Sequence, residues 1–350
     1  MRRVKRFLAF SIVIFMVSNM KIKYNNVISV ASFRRGPIKV AVFLLDFTDD
    51  FISEIRASLE DIQKQNPGKI EYTFYDGKSN QAVQDASIDK VLKEGTDLIL
   101  LNIVNREHAQ SVINEIKEVN IPVILFNREP LTPLPIQSYS RALYIGTDQK
   151  GAGILQGKML TDVWNSSKKY IDKNNDNVMQ YVMLQGENNN TEAIDRTRYS
   201  VSSIEGSDIK TQQIALKICN WLEEPAYEAV KALLSKYGNQ IEVIISNDDT
   251  MAIGAIKALQ DYGYNEGDKF KTVPVVGVDV TIQAKELINK GYMLGSVYQK
   301  PREYADALYV CGMNLIERRI PTYGTKYELD DTKVSIRIAL TDYYYKNMYL

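Results

Sequence analysis

The stretch Asp172-Lys173-Asn174-Asn175-Asp176-Asn177-Val178-Met179-Gln180 sets oxygen-bearing side chains at the first, third, fifth and ninth places of a short loop. That is the spacing with which calcium loops of the EF-hand type present ligands to the ion. In such a loop the seventh residue, here Val178, offers its backbone carbonyl, and the sixth must turn sharply. Asn177 can make that turn, because Asn tolerates left-handed backbone. The closing place, where an EF-hand has a bidentate Glu, holds Met183 inside the apolar run Val182-Met183-Leu184, so an acid must come from elsewhere. Glu242, which opens the otherwise apolar run Ile241-Glu242-Val243-Ile244-Ile245, needs a partner and is the candidate. Taken alone, the loop suits a calcium site and an Asn/Asp-rich surface turn equally well.

A second set of residues could bind a small polar ligand. Polar side chains recur directly after apolar runs: Asp49, with Phe51 two residues on; Asn127 and Arg128 after Val123-Ile124-Leu125-Phe126; Asp248 after Ile244-Ile245; Asp279 after Val275-Val276-Gly277-Val278. Arg196 follows the strand on the far side of the acidic loop. Carboxylates and carboxamides that accept, with an Arg that donates, can satisfy ligand hydroxyls, which do both. Each residue also has a plainer role. Phe51 near a helix start suits a core, Arg196 could pair with Glu192 one turn back, and Asp279 could cap the next helix. Strand-end polar residues converging from five places are hard to explain as unrelated caps.

The elements that must position these groups alternate. From Pro37, short β-rich runs are followed by amphipathic ones: strand over 38–45, helix 50–66, strand 70–76, helix 81–94, strand 97–102, helix 106–119 and strand 122–127. After Gly146-Thr147-Asp148 the rhythm repeats, with helix 150–165, the acidic loop, strand 178–185, helix 191–203, strand 209–216, helix 223–237, strand 241–247, helix 249–262, strand 273–278 and helix 281–290. The pattern predicts an α/β protein of two doubly wound, parallel-sheet lobes, with ligand bound beyond the carboxyl ends of the strands. The expected division is 37–146 with about 299–336 in one lobe, and 147–298 with about 337–350 in the other. The lobes would be joined by a hinge crossed near 146–148, near Tyr298-Gln299 and around 336–339.

Composition narrows the function. The chain has 350 residues, with 43 basic and 43 acidic side chains, a balance that argues against a nucleic-acid partner. Cys219 and Cys311 lie far apart with no C-x-x-C pairing, which suits buried thiols. The single histidine, His108, has no acidic or nucleophilic neighbour in sequence and suits a surface or capping role. Residues 1–36 open with Met1-Arg2-Arg3-Val4-Lys5-Arg6 and continue into an apolar run over 7–17, the layout of an export signal or a membrane anchor. The protein is therefore expected in the periplasm or on the outer face of the cytoplasmic membrane.

Several of these motifs resemble, in order and spacing, the bacterial galactose/glucose-binding proteins: Thr48-Asp49-Asp50-Phe51, Phe126-Asn127-Arg128-Glu129-Pro130, Tyr144-Ile145-Gly146-Thr147-Asp148, the acidic loop, Ile244-Ile245-Ser246-Asn247-Asp248-Asp249-Thr250-Met251-Ala252 and Gly277-Val278-Asp279. The resemblance runs from about Ile38 to the end of the chain. It implies the type I periplasmic binding fold and a monomeric, non-catalytic receptor that closes on a monosaccharide, glucose or galactose, and feeds an ABC permease or sometimes a chemoreceptor. By matching positions, Asp49, Asn127, Arg196, Asp248 and Asp279 would hold sugar hydroxyls. Phe51 and Trp221 would cover the ring faces, and Asp172, Asn174, Asp176, the Val178 carbonyl, Gln180 and Glu242 would bind calcium. Asn190 and Glu192 stand where the family commonly has His and Asp, and Asp248 and Gln299 stand where it has Asn, so the preferred epimer is open. Other readings are a membrane-tethered sugar sensor presenting to a receptor or histidine kinase, the effector domain of a LacI-type repressor and a glycoside-processing enzyme. The export segment, with no helix-turn-helix before the fold, opposes the repressor, and a cleft that satisfies every hydroxyl favours holding over hydrolysis.

Overall fold

The computed structural model describes residues 36–345. The expected export segment lies, but for Gly36, outside the described residues. The chain runs β1 (Ile38–Leu44), α1 (Asp50–Gln65), β2 (Ile70–Asp76), α2 (Gln81–Glu94), β3 (Leu98–Leu101), α3 (Ala109–Glu118), β4 (Val123–Phe126), the single turn α4 (Leu134–Gln137) and β5 (Ala142–Thr147). It continues through α5 (Gln149–Ile171), β6 (Val178–Gln185), α6 (Thr191–Glu205), β7 (Lys210–Ile218), α7 (Glu223–Tyr237), β8 (Val243–Ser246), α8 (Asp249–Asp261), β9 (Val275–Asp279), α9 (Ile282–Asn289), β10 (Gly295–Tyr298), α10 (Pro301–Ile316), β11 (Ser335–Ile338) and β12 (Thr341–Tyr344).

Two six-stranded sheets result, with strand orders 11-5-4-3-1-2 and 12-10-9-8-6-7. Every pairing is parallel except β10 with β12. Both faces of each sheet are covered, so the central strands are apolar throughout. In β1, Val40, Val42 and Leu44 face a core shared with α1 and α10, while Ala41 and Phe43 face one shared with α2 and α3. The second sheet repeats this scheme. Val182 and Leu184 of β6 meet α7 and α8, whereas Tyr181 and Met183 meet α5 and α6. The two doubly wound parallel sheets expected from the alternation are thus present.

The chain passes between the sheets three times: from β5 into α5, from β10 into α10, and from β11 into β12. Thr147, Arg337 and Ile338 still pair within the first sheet, as Ile338↔Thr147 and Arg337↔Gly146. The helix expected over 106–119 divides into a 3-10 turn, Arg106–His108, and α3. Cys219 and Cys311 are free and buried, and His108 is exposed. No helix among the described residues is long and apolar enough to cross a membrane.

Candidate functional site

Two helices begin at the carboxyl ends of central strands, and each is capped by an aspartate. Asp49, after β1, accepts from the Ile52 N–H through Oδ1 at 2.8 Å. Asp248, after β8, accepts from the Met251 N–H through Oδ1 at 2.9 Å. Capping fixes each carboxyl group with one oxygen bound and the other free. Both groups line a cleft of about 340 Å³ between the carboxyl ends of the two sheets. Such a volume suits a small molecule. Phe51, Asn127, Arg128, Glu187, Glu192, Arg196, Trp221, Asp279 and Gln299 also line it.

Five lining residues have left-handed backbone: Ser79 at φ 51°, Asn127 at φ 60°, Asn220 at φ 52°, Trp221 at φ 66° and Asp279 at φ 127°. Asn accommodates this readily, but Trp and Asp do so at a cost, and such strain concentrates where side chains are aimed for function. Asn127 Oδ1 accepts from Asn102 Nδ2 at 3.0 Å, which leaves its own amide hydrogens for the cleft. Asp279 does not cap α9, because Thr281 Oγ1 takes that role by accepting from Ala284 N–H. Its Oδ1 instead accepts from Gln299 Nε2 at 2.5 Å. Gln299 Oε1 accepts from Thr147 Oγ1 at 2.6 Å, so the side chains at two inter-sheet passages are bonded to each other.

Arg196 is buried, and it does not pair with Glu192. Its Nε donates to Gln149 Oε1 and its Nη1 to the Asn247 carbonyl, both at 2.7 Å. The guanidinium stands 5.8 Å from the Trp221 ring. Glu192 accepts from the Glu129 N–H across the cleft at 3.3 Å. Trp221 is seated against Gly186, where a Cβ would clash with the indole carbons. Phe51, only 6% exposed, packs edge-on to Tyr304 at 5.7 Å and belongs to the first core while also forming cleft wall.

Asn190 is the one expected ligand residue outside the cleft lining. Its Oδ1 caps α6 and accepts from Arg106 Nη1 at 2.7 Å, and its Nδ2 donates to Glu187 Oε2 at 2.9 Å. The sequence pattern assigns none of Arg106, Glu187, Asn102, Gln149 and Thr250 to the site. Arg106 comes a few residues after β3, the same post-strand position that marks Asp49, and that is the signal it carries. Arg128, which follows its strand in the same way, bonds to Glu187 at 3.2 Å, and Thr250 Oγ1 donates to Asp50 Oδ2 at 3.3 Å. Together with Arg106–Asn190 these contacts join the two halves across the cleft.

The cleft is acid-rich. Burial, with the charges of Asp50 and Asp46 adding, raises Asp49 from 3.8 to about 6. Burial and the charge of Asp49 raise Asp248 from 3.8 to about 7, against the pull of Arg196. Asp279 is raised well above its ordinary value by burial and by Asp249. Glu187, although partly buried, lies below its ordinary value because of the Arg128 guanidinium and the Asn190 amide.

The acidic loop folds around Asp172, whose two oxygens accept from Asp176 N–H and Asn177 N–H, both at 3.1 Å. Asn177 has φ 64°, as its place in the loop requires. Glu242 reaches the loop: Oε1 accepts from Lys173 N–H at 2.7 Å and Oε2 from Gln180 N–H at 3.0 Å. Burial, and the charges of Asp172 and Asp176, raise it from 4.5 to about 7. Gln180 Oε1 is buried without a partner. Among the described residues no three acidic, His or Cys side chains form a ready cage. The donors are nevertheless all oxygens with one orphaned among them, which fits a hard cation such as calcium.

Two largely parallel sheets with a cleft between their carboxyl ends and three connections have the layout of a receptor for a small solute. The chain belongs to the periplasmic binding protein family: the periplasmic binding protein domain matches residues 40–319. Members of this family bind solutes and are not enzymes. The D-galactose/methyl-galactoside binding periplasmic protein MglB of Haemophilus influenzae is 33% identical over 299 residues, 85% of this chain and 87% of that protein. This agrees with the kinship to galactose/glucose-binding proteins expected from the motifs. The ribose import binding protein RbsB of Escherichia coli is 24% identical over 70% of this chain and 74% of its own length. Among solved structures, a periplasmic solute-binding protein of an ABC transporter from Actinobacillus succinogenes, with bound D-allose, superposes with a TM-score of 0.73. It covers 89% of this chain and 98% of its own at 17% identity, a likeness of fold.

Proposed function

We propose that this chain is the extracytoplasmic sugar-binding subunit of an ABC transporter, taking one aldohexopyranose, glucose or galactose, into the cleft. The observation that carries the reading is the placing of Asp49 and Asp248, on opposite sheets, as helix caps with one oxygen each left free in the same cleft. Asp279, Arg196 and the Asn127 amide add acceptors and donors for further hydroxyls, and Trp221 offers flat apolar surface to the C–H face of a ring. Phe51 supplies the opposite wall. Residues 1–36 would carry the chain across the cytoplasmic membrane or tether it there.

Calcium at Asp172, Asn174, Asp176, the Val178 carbonyl, Gln180 and Glu242 would tie β6 and β8 together at their amino ends. The support is the orphaned Gln180 Oε1 and the raised Glu242, both of which a dication would satisfy. In this reading the sugar is bound by rotation of residues 37–147 and 299–338 toward the remainder.

Isothermal titration with a panel of hexoses and pentoses tests the reading, with Asp279→Ala as the partner variant. Hexose binding that the variant weakens by about 1–3 kcal/mol is expected, since a buried hydroxyl loses its acceptor. Binding of pentoses with no hexose bound, or an unchanged affinity in the variant, would overturn it.

A further inference from the structure

The charges lining the cleft do not balance, and the imbalance bears on the ligand. Of the two cationic groups there, Arg128 is already committed: it donates to the Ile103 and Val104 carbonyls at 2.9 and 3.0 Å and to Glu187 at 3.2 Å. Arg196 has two nitrogens bound, to Gln149 and to the Asn247 carbonyl. Against it stand Asp49, Asp248 and Asp279, each with one oxygen bound and a second lacking any protein donor. Asp248 and Asp279 are 7% and 6% exposed, so water does little to replace the missing charge.

We propose that the cleft prefers a hexose carrying a protonated amine, a hexosamine, over the corresponding neutral hexose, with the ammonium group between the open oxygens of Asp49 and Asp248. The inference rests on the reading of the cleft as a hexose site. A hydroxyl meeting an ionised carboxylate can donate one hydrogen and must still find a donor for its own oxygen. An ammonium group donates three hydrogens, needs no donor and brings the missing positive charge. Both aspartates are presented by helix N-caps, so the acceptors are fixed before the ligand arrives. The upward displacement of both carboxyls by burial is the behaviour of acids that lack a counter-charge and hold a proton in its place, and a bound ammonium group would release that proton and take over the charge.

The test is isothermal titration of the purified protein near neutral pH with D-glucosamine, D-galactosamine, D-glucose, D-galactose and N-acetyl-D-glucosamine, the last being an uncharged amide. The better amine should bind about tenfold or more tightly than its parent hexose and than the amide. In Asp248→Asn, which keeps a competent N-cap, that ratio should collapse toward unity. Circular dichroism and a parallel Asp49→Asn titration guard against a folding artefact. Neutral hexoses that bind as tightly as the amines would overturn the inference and leave the hexose site standing. A preference for amines that survives both Asn variants would overturn the placing of the ammonium group. If no hexose and no hexosamine binds, the hexose reading falls and the inference falls with it.

Discussion

Arg106 Nη1 donates to Asn190 Oδ1 at 2.7 Å, linking the turn after β3 to the N-cap of α6 in the other half. The same guanidinium holds the Glu129 carbonyl at 2.6 Å and contacts Thr191. Arg106 is 6% exposed, so this is a desolvated bond across the cleft and not a surface contact. Truncation to alanine leaves the Glu129 carbonyl without this donor and removes a bond that exists only when the halves meet. Arg106→Ala should therefore weaken sugar binding by about 1–3 kcal/mol without touching the ligand. Stopped-flow kinetics should place most of the loss in faster dissociation. Unaltered affinity would show that the contact has no part in closure.

Asp248 supplies a stability test with a defined sign. Its folded value is about 7 against an ordinary 3.8. Below the ordinary value the carboxyl is neutral whether the chain is folded or not. Above the folded value it is ionised in both states, and the folded protein alone bears the cost of burial. Stability linked to this group is thus greatest in acid and is lost as pH rises from about 4 to about 7. Asn caps helices as well as Asp and does not titrate. Without sugar, Asp248→Asn should match the wild type near pH 4 and exceed it by on the order of 1–3 kcal/mol near pH 8. Urea denaturation at the two pH values reads this directly, and a difference that does not change with pH would refute it.

Calcium removal should lower the melting temperature of the second half. A dication that binds only the folded loop stabilises it by mass action, and three carboxylates oppose the ion. Addition of EDTA should cause the drop and excess calcium should restore it. Glu242→Gln should abolish both responses. An unchanged melting curve in EDTA, with no calcium found by metal analysis, would dispose of the site.

Sugar should shift the chain toward the closed form, because Arg106–Asn190, Arg128–Glu187 and Thr250–Asp50 all bridge the halves. Small-angle scattering should show a smaller radius of gyration with sugar than without. Equal radii would remove the hinge.

Much of the fold and of the cleft is legible in the amino-acid sequence, for physical reasons that differ by residue. Strands such as Val123–Phe126 are apolar on both faces, which marks a covered parallel sheet, and the residue after each is placed by topology at the ligand end. Asp49, Asp248, Asn127 and Asp279 follow from that rule. The role of Asn190 does not, because Arg106 lies 84 positions earlier and only the packing of one half against the other brings them together. Helical spacing allows Arg196 to meet Glu192, but the Gln149 carboxamide and the Asn247 carbonyl, buried beside it, are stronger claims on the guanidinium. Phe51 belongs to the first core and also lines the cleft, so its apolar ring does not by itself separate the two roles. The alternation of runs does not mark β10, α10, β11 and β12, since β11 and β12 are only four residues each and take their place from partners far back in the chain.

β11 and β12 are separated only by Ala339 and Leu340, yet β11 is the outer strand of the first sheet and β12 that of the second. A sheet with a missing outer strand exposes unpaired amide and carbonyl groups along the vacant side. A polypeptide delivered amino end first therefore leaves both halves unfinished until this one short segment emerges, and then completes them together.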